Sequence, residues 1–171
     1  MAAPVIIVEY DPQWPLLYAE EKTHIMEAVG RLVVVIEHVG STAVPGLGAK
    51  PIIDILAGVH SLPNADYCVA PLQGIGYEYV PEYEVELPER RYFRKGPPGA
   101  RTHHLHIVEL TSDFWERHLL FRDYLRDHPE KAQEYYRLKR DFAAKHGSDG
   151  VGYTEAKTAF VRSVEELARG N

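Results

Sequence analysis

The stretch that decides the fold is HVGSTAVPGLGAKPIIDIL, residues 38–56. It predicts the end of a strand, a tight Gly-Ser turn, an irregular loop and a second strand that carries one carboxylate, Asp54. Gly40 lets the backbone turn tightly, Ser41 offers a hydroxyl and an N–H to an anion, and other loop N–H groups, such as that of Thr42, can join them. An ionised Asp54 among apolar residues is costly unless a cation or a donor meets it. The layout indicates a phosphate-handling site; the alternative is a plain turn and a strand-end Asp that caps a neighbouring element.

A second cluster is HHLHIVE, residues 103–109. Strand alternation puts His104 and His106 on one face and the leucine and isoleucine on the other. If the apolar face meets a core, the two histidines face a cleft, where Asp54 can join them. We therefore predict Asp54, His104 and His106 as catalytic residues and as ligands of a divalent metal such as Mg, Mn or Zn. The alternative is that the histidines donate to a phosphorylated ligand or are polar surface residues.

Basic residues precede both strands. Lys50 lies just before the Asp54 strand, while Arg91 and Arg101 belong to a positive cluster before the histidine strand. Guanidinium groups match phosphate or carboxylate oxygens with two parallel hydrogen bonds. We predict that Lys50, Arg91 and Arg101 bind a phosphorylated substrate, with a solvated positive strand edge as the alternative.

Composition narrows the class of protein. At 171 residues and 45% hydrophobic content, the chain fits one domain, residues 1–171, with a sizeable core. The net charge of −6 argues against general nucleic-acid binding, which needs excess Lys and Arg. With Cys68 as its one cysteine, the chain has no intrachain disulfide, which predicts a reducing cytoplasmic setting. It also lacks an apolar run of roughly 18 residues and a signal-peptide pattern, so no membrane partner is expected.

Hydrophobic periodicity predicts an α+β fold. The predicted strands are residues 5–8, 32–39, 51–59, 77–80, 90–95 and 103–110. The predicted helices are residues 13–29, 62–74, 113–127 and 129–146, with a last helix after Tyr153. Strands and helices do not alternate regularly, which disfavours a doubly wound parallel sheet. We expect a mixed β-sheet flanked by helices, with an α-helical C-terminal part.

The central stretch resembles the signature of the GrpB family, a group related to the nucleotidyltransferase superfamily. Later segments are similar to that family's other blocks: Tyr10 with Trp14, Arg91, Phe93, Arg101, HHLHIVE and YTEAKTAF from Tyr153 to Phe160. The resemblance covers nearly the whole chain and implies a nucleotidyltransferase-like fold. It also marks Lys157, which could deliver a positive charge to a triphosphate.

The chain departs from the wider superfamily at one point. Active nucleotidyltransferases usually carry two carboxylates two residues apart, which hold divalent cations against the triphosphate. Here the residues two positions from Asp54 are Ile52 and Leu56, which cannot bind a metal. A two-metal transfer of the usual kind is therefore not expected.

Two hypotheses from different classes follow. In the first, the protein binds a nucleoside triphosphate or another phosphorylated small molecule and catalyses metal-dependent nucleotidyl transfer. In the second, the same cleft binds a nucleotide without chemistry and acts as a regulatory module, as the missing second carboxylate favours. A metal-dependent hydrolase is a third, weaker alternative. The nucleotide, the acceptor, the metal and the oligomeric state are not specified by the sequence.

Overall fold

The computed structural model describes residues 6–146 and 150–170, apart from the side chains of residues 146, 150–154 and 156. The helices are α1 Trp14–Val29, α2 Leu62–Tyr67, α3 Val69–Gln73, α4 Asp113–Asp127, α5 Pro129–His146 and α6 Gly150–Gly170. The strands are β1 Val35–Val39, β2 Ile53–Val59, β3 Glu78–Tyr79, β4 Arg90–Lys95 and β5 His103–Glu109. Short 3-10 turns cover Ser41–Ala43 and Pro81–Glu84. The predicted α+β class, a mixed sheet with a helical C-terminal part, is confirmed.

One five-stranded sheet organises the chain, in the order β1-β2-β5-β4-β3. Strands β2 and β5 are parallel, and the other neighbouring pairs are antiparallel. The chain leaves β2 through α2 and α3, forms β3 and β4, and returns with β5 beside β2. This return places the Asp54 strand next to the histidine strand.

The main core fills the sheet face covered by α1, α2 and α3. Ile55, Leu105, Ile107 and Phe93 are fully buried there. They come from three adjacent strands and alternate with side chains of the opposite face, as the period of a strand requires. Ile25 of α1 packs against them. The predicted inward orientation of the leucine and isoleucine of β5 is confirmed.

The opposite face is covered by the C-terminal helices and is packed less continuously. A small apolar cluster joins Val39, Leu56 and Val108 of the sheet to Phe114 of α4. A separate cluster ties the three C-terminal helices to the loop between β1 and β2, with Leu47, Leu125, Tyr135 and Val164 among its buried members. The side chains of Asp54, His104 and His106 lie on this same face of the sheet.

Several predicted boundaries differ from the structure. The strand predicted from residue 5 is reduced, within the described residues, to a single bridge between Val8 and Ala49. The helix predicted over residues 62–74 breaks at Cys68 into α2 and α3. Pro71 explains the break, because its ring lacks an N–H and clashes with the carbonyl of Tyr67 in a continuous helix. The last helix begins at Gly150, before Tyr153.

Other elements match their predictions closely. Strand β4 has the predicted bounds, and Ser112 caps α4 by accepting a hydrogen bond from the Trp115 N–H at 3.2 Å. In the described part of the chain, no helix has the length and apolar content that crossing a bilayer requires.

Candidate functional site

The Gly40–Ser41 turn lies directly against the Asp54 carboxylate. Gly40 has φ 74° and ψ −173°, a conformation that L side chains rarely adopt. A Cβ atom on it would lie 2.8 Å from Asp54 Oδ2. Val39, just before the turn, pairs with Asp54 across the β1–β2 ladder. Glycine is therefore required here both by the turn and by the close approach of the carboxylate.

Two histidines of β5 approach the same carboxylate. The parallel register sets Asp54 beside His104, and alternation puts His106 on the same face. Asp54 Oδ1 lies 3.7 Å from His104 Nδ1 and 3.3 Å from His106 Nε2. The structure thus brings together the three residues predicted to form the centre of the site.

The Asp54 carboxyl is ionised at neutral pH. Burial alone raises its pKa, but the hydrogen bond from His106 and favourable electrostatic interactions with His106, His104 and Lys157 lower the pKa to about 2. Burial lowers the pKa of His104, so its imidazole is neutral at pH 7. A carboxylate with so low a pKa is a weak proton acceptor. Asp54 is therefore suited to holding a cation or orienting a donor rather than to general base catalysis.

A cavity of about 410 Å³ opens beside Asp54. The Gly40–Ser41 turn and the start of β2 line one side, and α4, α5 and α6 line the other. Its basic residues are Lys50, Arg117, Lys139, Lys157 and Arg162, and its carboxylates are Asp54 and Glu165. Arg117 Nε lies 2.8 Å from Asp113 Oδ2, but the four other basic residues still outnumber the two carboxylates and favour an anionic ligand.

Lys139 is the most buried of these basic residues, with 2% of its surface exposed. Its Nζ donates to the Gly48 carbonyl at 2.9 Å and lies 4.7 Å from the centre of the Tyr135 ring. Burial and the charges of Lys157 and Lys50 lower its pKa to about 6. A bound anion would offset that repulsion, so phosphate and a protonated Lys139 would stabilise each other.

The two hydroxyls of the turn have different surroundings. Thr42 is 2% exposed, and its Oγ1 donates to the Ile52 carbonyl at 3.4 Å and lies 2.9 Å from His38 Nε2. The half-buried Ser41 side chain is hydrogen-bonded to Tyr135 at the wall of the cavity. Thr42 therefore stabilises the turn, while Ser41 is the residue placed to meet a ligand. Of the predicted phosphate-binding residues, the structure brings Gly40, Ser41, Thr42, Lys50 and Lys157 to the cavity.

Arg91 and Arg101 do not reach this cavity, and their prediction as part of its anion site is corrected. Arg91 pairs with Ile107 across β4 and β5, so its side chain lies on the opposite face of the sheet. There its Nε is 2.7 Å from Asp66 Oδ1. Arg101 Nη1 lies 3.2 Å from Glu78 Oε2 near the far edge of the sheet. The period of β4 turns the first arginine away, and carboxylates already neutralise both.

The cavity residues that were missed in the sequence include Arg117, His118 and Arg162. The Nδ1–H of His118 donates to the Phe114 carbonyl at 2.8 Å, which leaves Nε2 as an acceptor. Burial lowers the pKa of His118 to about 4, so the ring is neutral. A signal for Arg162 was present, because it lies one helical turn after Thr158 and on the same helix face.

The arrangement fits a three-ligand metal ion poorly. Among the described residues, no group of three His, Cys, Asp or Glu side chains is arranged to hold a metal. Magnesium, by contrast, usually binds through one or two carboxylates together with the phosphates of a substrate. Asp54, which lines the cavity with 35% of its side chain exposed, can supply such a carboxylate. The metal stays a prediction, and the donor set favours an ion that arrives with a phosphorylated ligand.

Comparison with known proteins gives close relatives over most of the chain. The sequence is 39% identical over 165 residues to the UPF0157 protein YqkA of Bacillus subtilis, covering 96% of this chain and 47% of that protein. The chain thus spans about half the length of YqkA. It is 36% identical over 162 residues to the glutamate-rich protein GrpB of Alkalihalophilus pseudofirmus, covering 94% and 93% of the two chains.

A more distant relative carries a functional name. The chain is 30% identical over 188 aligned residues to a dephospho-CoA kinase of Mycolicibacterium paratuberculosis. The match covers 97% of this chain and 46% of the kinase.

A solved structure shares the fold. The crystal structure of the conserved protein GrpB from Enterococcus faecalis superposes with a TM-score of 0.84 at 40% identity, covering 95% of this chain and 96% of that chain. The family model described as GrpB protein matches residues 4–167. The fold is accordingly consistent with a nucleotidyltransferase-like architecture, and the chain belongs to the GrpB family.

Proposed function

We propose that the protein binds a phosphorylated small molecule, with a nucleoside triphosphate as the leading candidate, in the cavity beside Asp54. The observation that carries the proposal is the convergence of five basic side chains, Lys139 among them, on a cavity of about 410 Å³ next to the Gly40–Ser41 turn. This volume lies in the range of roughly 300 to 1,000 Å³ that is typical of small-molecule sites. A concave site of this size is too small for a general nucleic-acid interface, and the net charge of −6 also argues against one.

Phosphate is the anion that best matches these side chains. Lys50, Lys139 and Lys157 come from a loop and two different helices, so they can surround a ligand instead of meeting it from one side. Arg117 and Arg162 add donors in a fork geometry that suits phosphate oxygens. The dephospho-CoA kinase relative has a name that describes action on a phosphorylated compound, and the part of it that aligns with this chain is 46% of its length.

Nucleotidyl transfer is the chemistry that this cavity supports best. An acceptor hydroxyl would attack the α-phosphorus of the triphosphate and lose its proton to water. The bond between the α-phosphorus and the oxygen that bridges to the β-phosphorus would break, and pyrophosphate would leave with the electron pair of that bond. Asp54 would hold a divalent cation against the phosphates, and the lysines would offset the charge of the leaving group. The competing function is nucleotide binding without turnover. It is favoured because Ile52 and Leu56 occupy the positions where a second metal-binding carboxylate would be expected. A metal-dependent hydrolase, with water as acceptor, is the weaker third alternative.

Binding is tested by isothermal titration calorimetry with ATP, ADP, AMP and inorganic triphosphate. We expect affinity to rise with phosphate number, and Lys157→Gln to weaken ATP binding at least about tenfold, since a charged hydrogen bond contributes about 1.5–3 kcal/mol. Lys22→Gln is the matched control, because Lys22 is exposed on α1, away from the cavity. Equal losses in both variants, or no binding of any phosphate compound by the wild type, would reject the proposal.

Turnover and metal binding are tested separately. Pyrophosphate release from a panel of triphosphates and acceptors distinguishes nucleotidyl transfer from binding alone. We expect Mn²⁺ to bind measurably only when a triphosphate is present, and Asp54→Asn to abolish this joint binding. If Mn²⁺ or Zn²⁺ instead binds the protein alone, and His106→Ala removes it in elemental analysis, the three-ligand metal site is correct.

A further inference from the structure

Arg90 contacts the histidine that contacts Asp54. It is the first residue of β4 and pairs with Val108, so its side chain lies on the same sheet face as His106. Arg90 Nη1 lies 3.3 Å from His106 Nδ1. The guanidinium also lies 5.0 Å from the centre of the Tyr92 ring and 5.7 Å from that of Phe114. Arg90 is therefore held in place by two aromatic rings as well as by the imidazole.

These contacts determine which nitrogen of His106 carries the proton. A guanidinium has donors and no acceptor, so Nδ1 of His106 must accept the hydrogen bond. A neutral imidazole then carries its proton on Nε2, which lies 3.3 Å from Asp54 Oδ1. The result is a directed chain in which Arg90 donates to His106, and His106 donates to Asp54.

The ring of His106 has little freedom to abandon this arrangement. Its centre lies 5.2 Å from that of Tyr92 and 5.5 Å from that of Phe114, and its side chain is 13% exposed. At the other end of the chain, Asp54 Oδ2 faces Gly40. One carboxylate oxygen is thus held by the imidazole while the other is directed to the turn.

We propose that Arg90 is a positioning residue that keeps His106 as a hydrogen-bond donor to Asp54 and thereby orients the Asp54 carboxylate toward the cavity. The consequence for ligands rests on the proposed function of the cavity. A metal on His106 Nε2 would need the proton on Nδ1, where it would point at the guanidinium. The contact with Arg90 therefore makes His106 a hydrogen-bond donor to Asp54 and disfavours its binding a metal through Nε2.

The tautomer is measured directly by long-range ¹H–¹⁵N correlation of the histidine side chains in the wild-type protein without ligand, at pH 8. We expect His106 Nε2 to resonate as a protonated nitrogen and Nδ1 as an unprotonated one, assigned by their loss in His106→Gln. A protonated Nδ1 on a neutral ring would overturn the proposal, because Arg90 could not then donate to it. This measurement does not depend on any ligand, so it stands even if the cavity binds no phosphate.

Variants then test whether the chain orients Asp54. The amide nitrogen of a glutamine can replace Nε2 as a donor, so His106→Gln should keep ATP affinity within about threefold, while His106→Leu should lower it about tenfold. Arg90→Leu should move the His106 nitrogen shifts toward averaged values and weaken ATP binding; Arg91→Leu, its neighbour on the opposite face, should do neither. Equal loss in His106→Gln and His106→Leu would reject the positioning role. Unchanged His106 shifts in a folded Arg90→Leu protein would reject the role of Arg90.

Discussion

The two faces of the sheet carry the same residue types in different surroundings. Arg90 and Arg91 are adjacent on β4, yet Arg90 meets an imidazole near the cavity and Arg91 meets Asp66 on the other face. On β5, His104 lies beside Asp54. His103 points the other way, where its Nδ1 lies 2.7 Å from a threonine hydroxyl. Residue type alone therefore does not identify the site. The strand register decides which arginine of β4 and which histidine of β5 lie on the face of the cavity.

The faces also differ in how they neutralise charge. On the α1 side, Lys95 Nζ lies 3.0 Å from Glu21 Oε2, so the lysine has a carboxylate partner. On the cavity side, Lys139 donates to the carbonyl of Gly48. A carbonyl dipole stabilises an ammonium less than a full negative charge does. One face therefore pairs its lysine with a carboxylate, whereas on the other face a bound anion would favour the protonated form of Lys139.

The largest expected effect is on the α1 side of the sheet. Phe93 is fully buried in the main core, and Phe93→Ala should lower the free energy of unfolding by about 3–5 kcal/mol through lost burial and a cavity. Urea denaturation measures the loss. Phosphate-ligand affinity of the folded fraction should stay unchanged, because the ring lies across the sheet from Asp54. A loss of affinity in folded Phe93→Ala protein would show that the two faces are not independent.

The next effect compares two glycines with positive φ. Gly40 and Gly46 have φ of 74° and 80°, but a Cβ on Gly46 would meet nothing within 4 Å. Gly46→Ala should therefore cost only the backbone strain, about 1 kcal/mol, whereas Gly40→Ala should cost about 2–4 kcal/mol because it also displaces Asp54. Only Gly40→Ala should weaken ATP binding. Equal effects of the two substitutions would mean that the approach to Asp54 is not required.

Lys139 gives a pH-dependent effect on the cavity face. Its pKa is about 6 in the folded protein, below its ordinary value of 10.5, because of burial and the charges of Lys50 and Lys157. Between these pH values the unfolded chain holds the extra proton, so this group makes stability rise with pH.

The substitution Lys139→Met should remove that slope. From pH 7 to pH 8, the free energy of unfolding of the wild type should rise by on the order of 1 kcal/mol relative to that of Lys139→Met, as measured by thermal unfolding. Relative to the wild type, the variant should therefore be more stable at pH 7 than at pH 8. Lys22→Gln, on exposed α1, should retain the wild-type slope. Parallel pH profiles for wild type and Lys139→Met would mean that Lys139 keeps its ordinary pKa.

The sequence predicted the parts of the site that follow from local patterns. The Gly-Ser turn, the lone Asp54 and the alternation of His104 and His106 depend on spacing within a few residues, and the structure brings all of them together. Arg91 was misplaced because the face that it occupies depends on the pairing of β4 with β5, a long-range feature. The helix break before Pro71 was missed although proline disfavours a continuous helix, because the apolar periodicity of residues 62–74 predicted one helix.

The helical side of the cavity was harder to predict. Arg117 and Arg162 belong to α4 and α6, which meet the sheet only through tertiary packing. Their amphipathic spacing is compatible with an ordinary solvated face as well as with a cavity wall. Which helix face turns toward Asp54 depends on contacts far apart in sequence, and no local pattern encodes that choice.

The smallest expected effect tests the corrected position of Arg91. Its ion pair with Asp66 is partly exposed, since the side chains are 13% and 54% exposed, and such pairs contribute about 0–1 kcal/mol. Asp66→Asn should therefore lower the free energy of unfolding by less than about 1 kcal/mol, and less still at high salt. ATP affinity should not change, because this pair lies across the sheet from the cavity. If Asp66→Asn instead alters ATP affinity severalfold at low salt with stability unchanged, Arg91 acts on the ligand after all, and the division of the sheet into a stability face and a ligand face fails at β4.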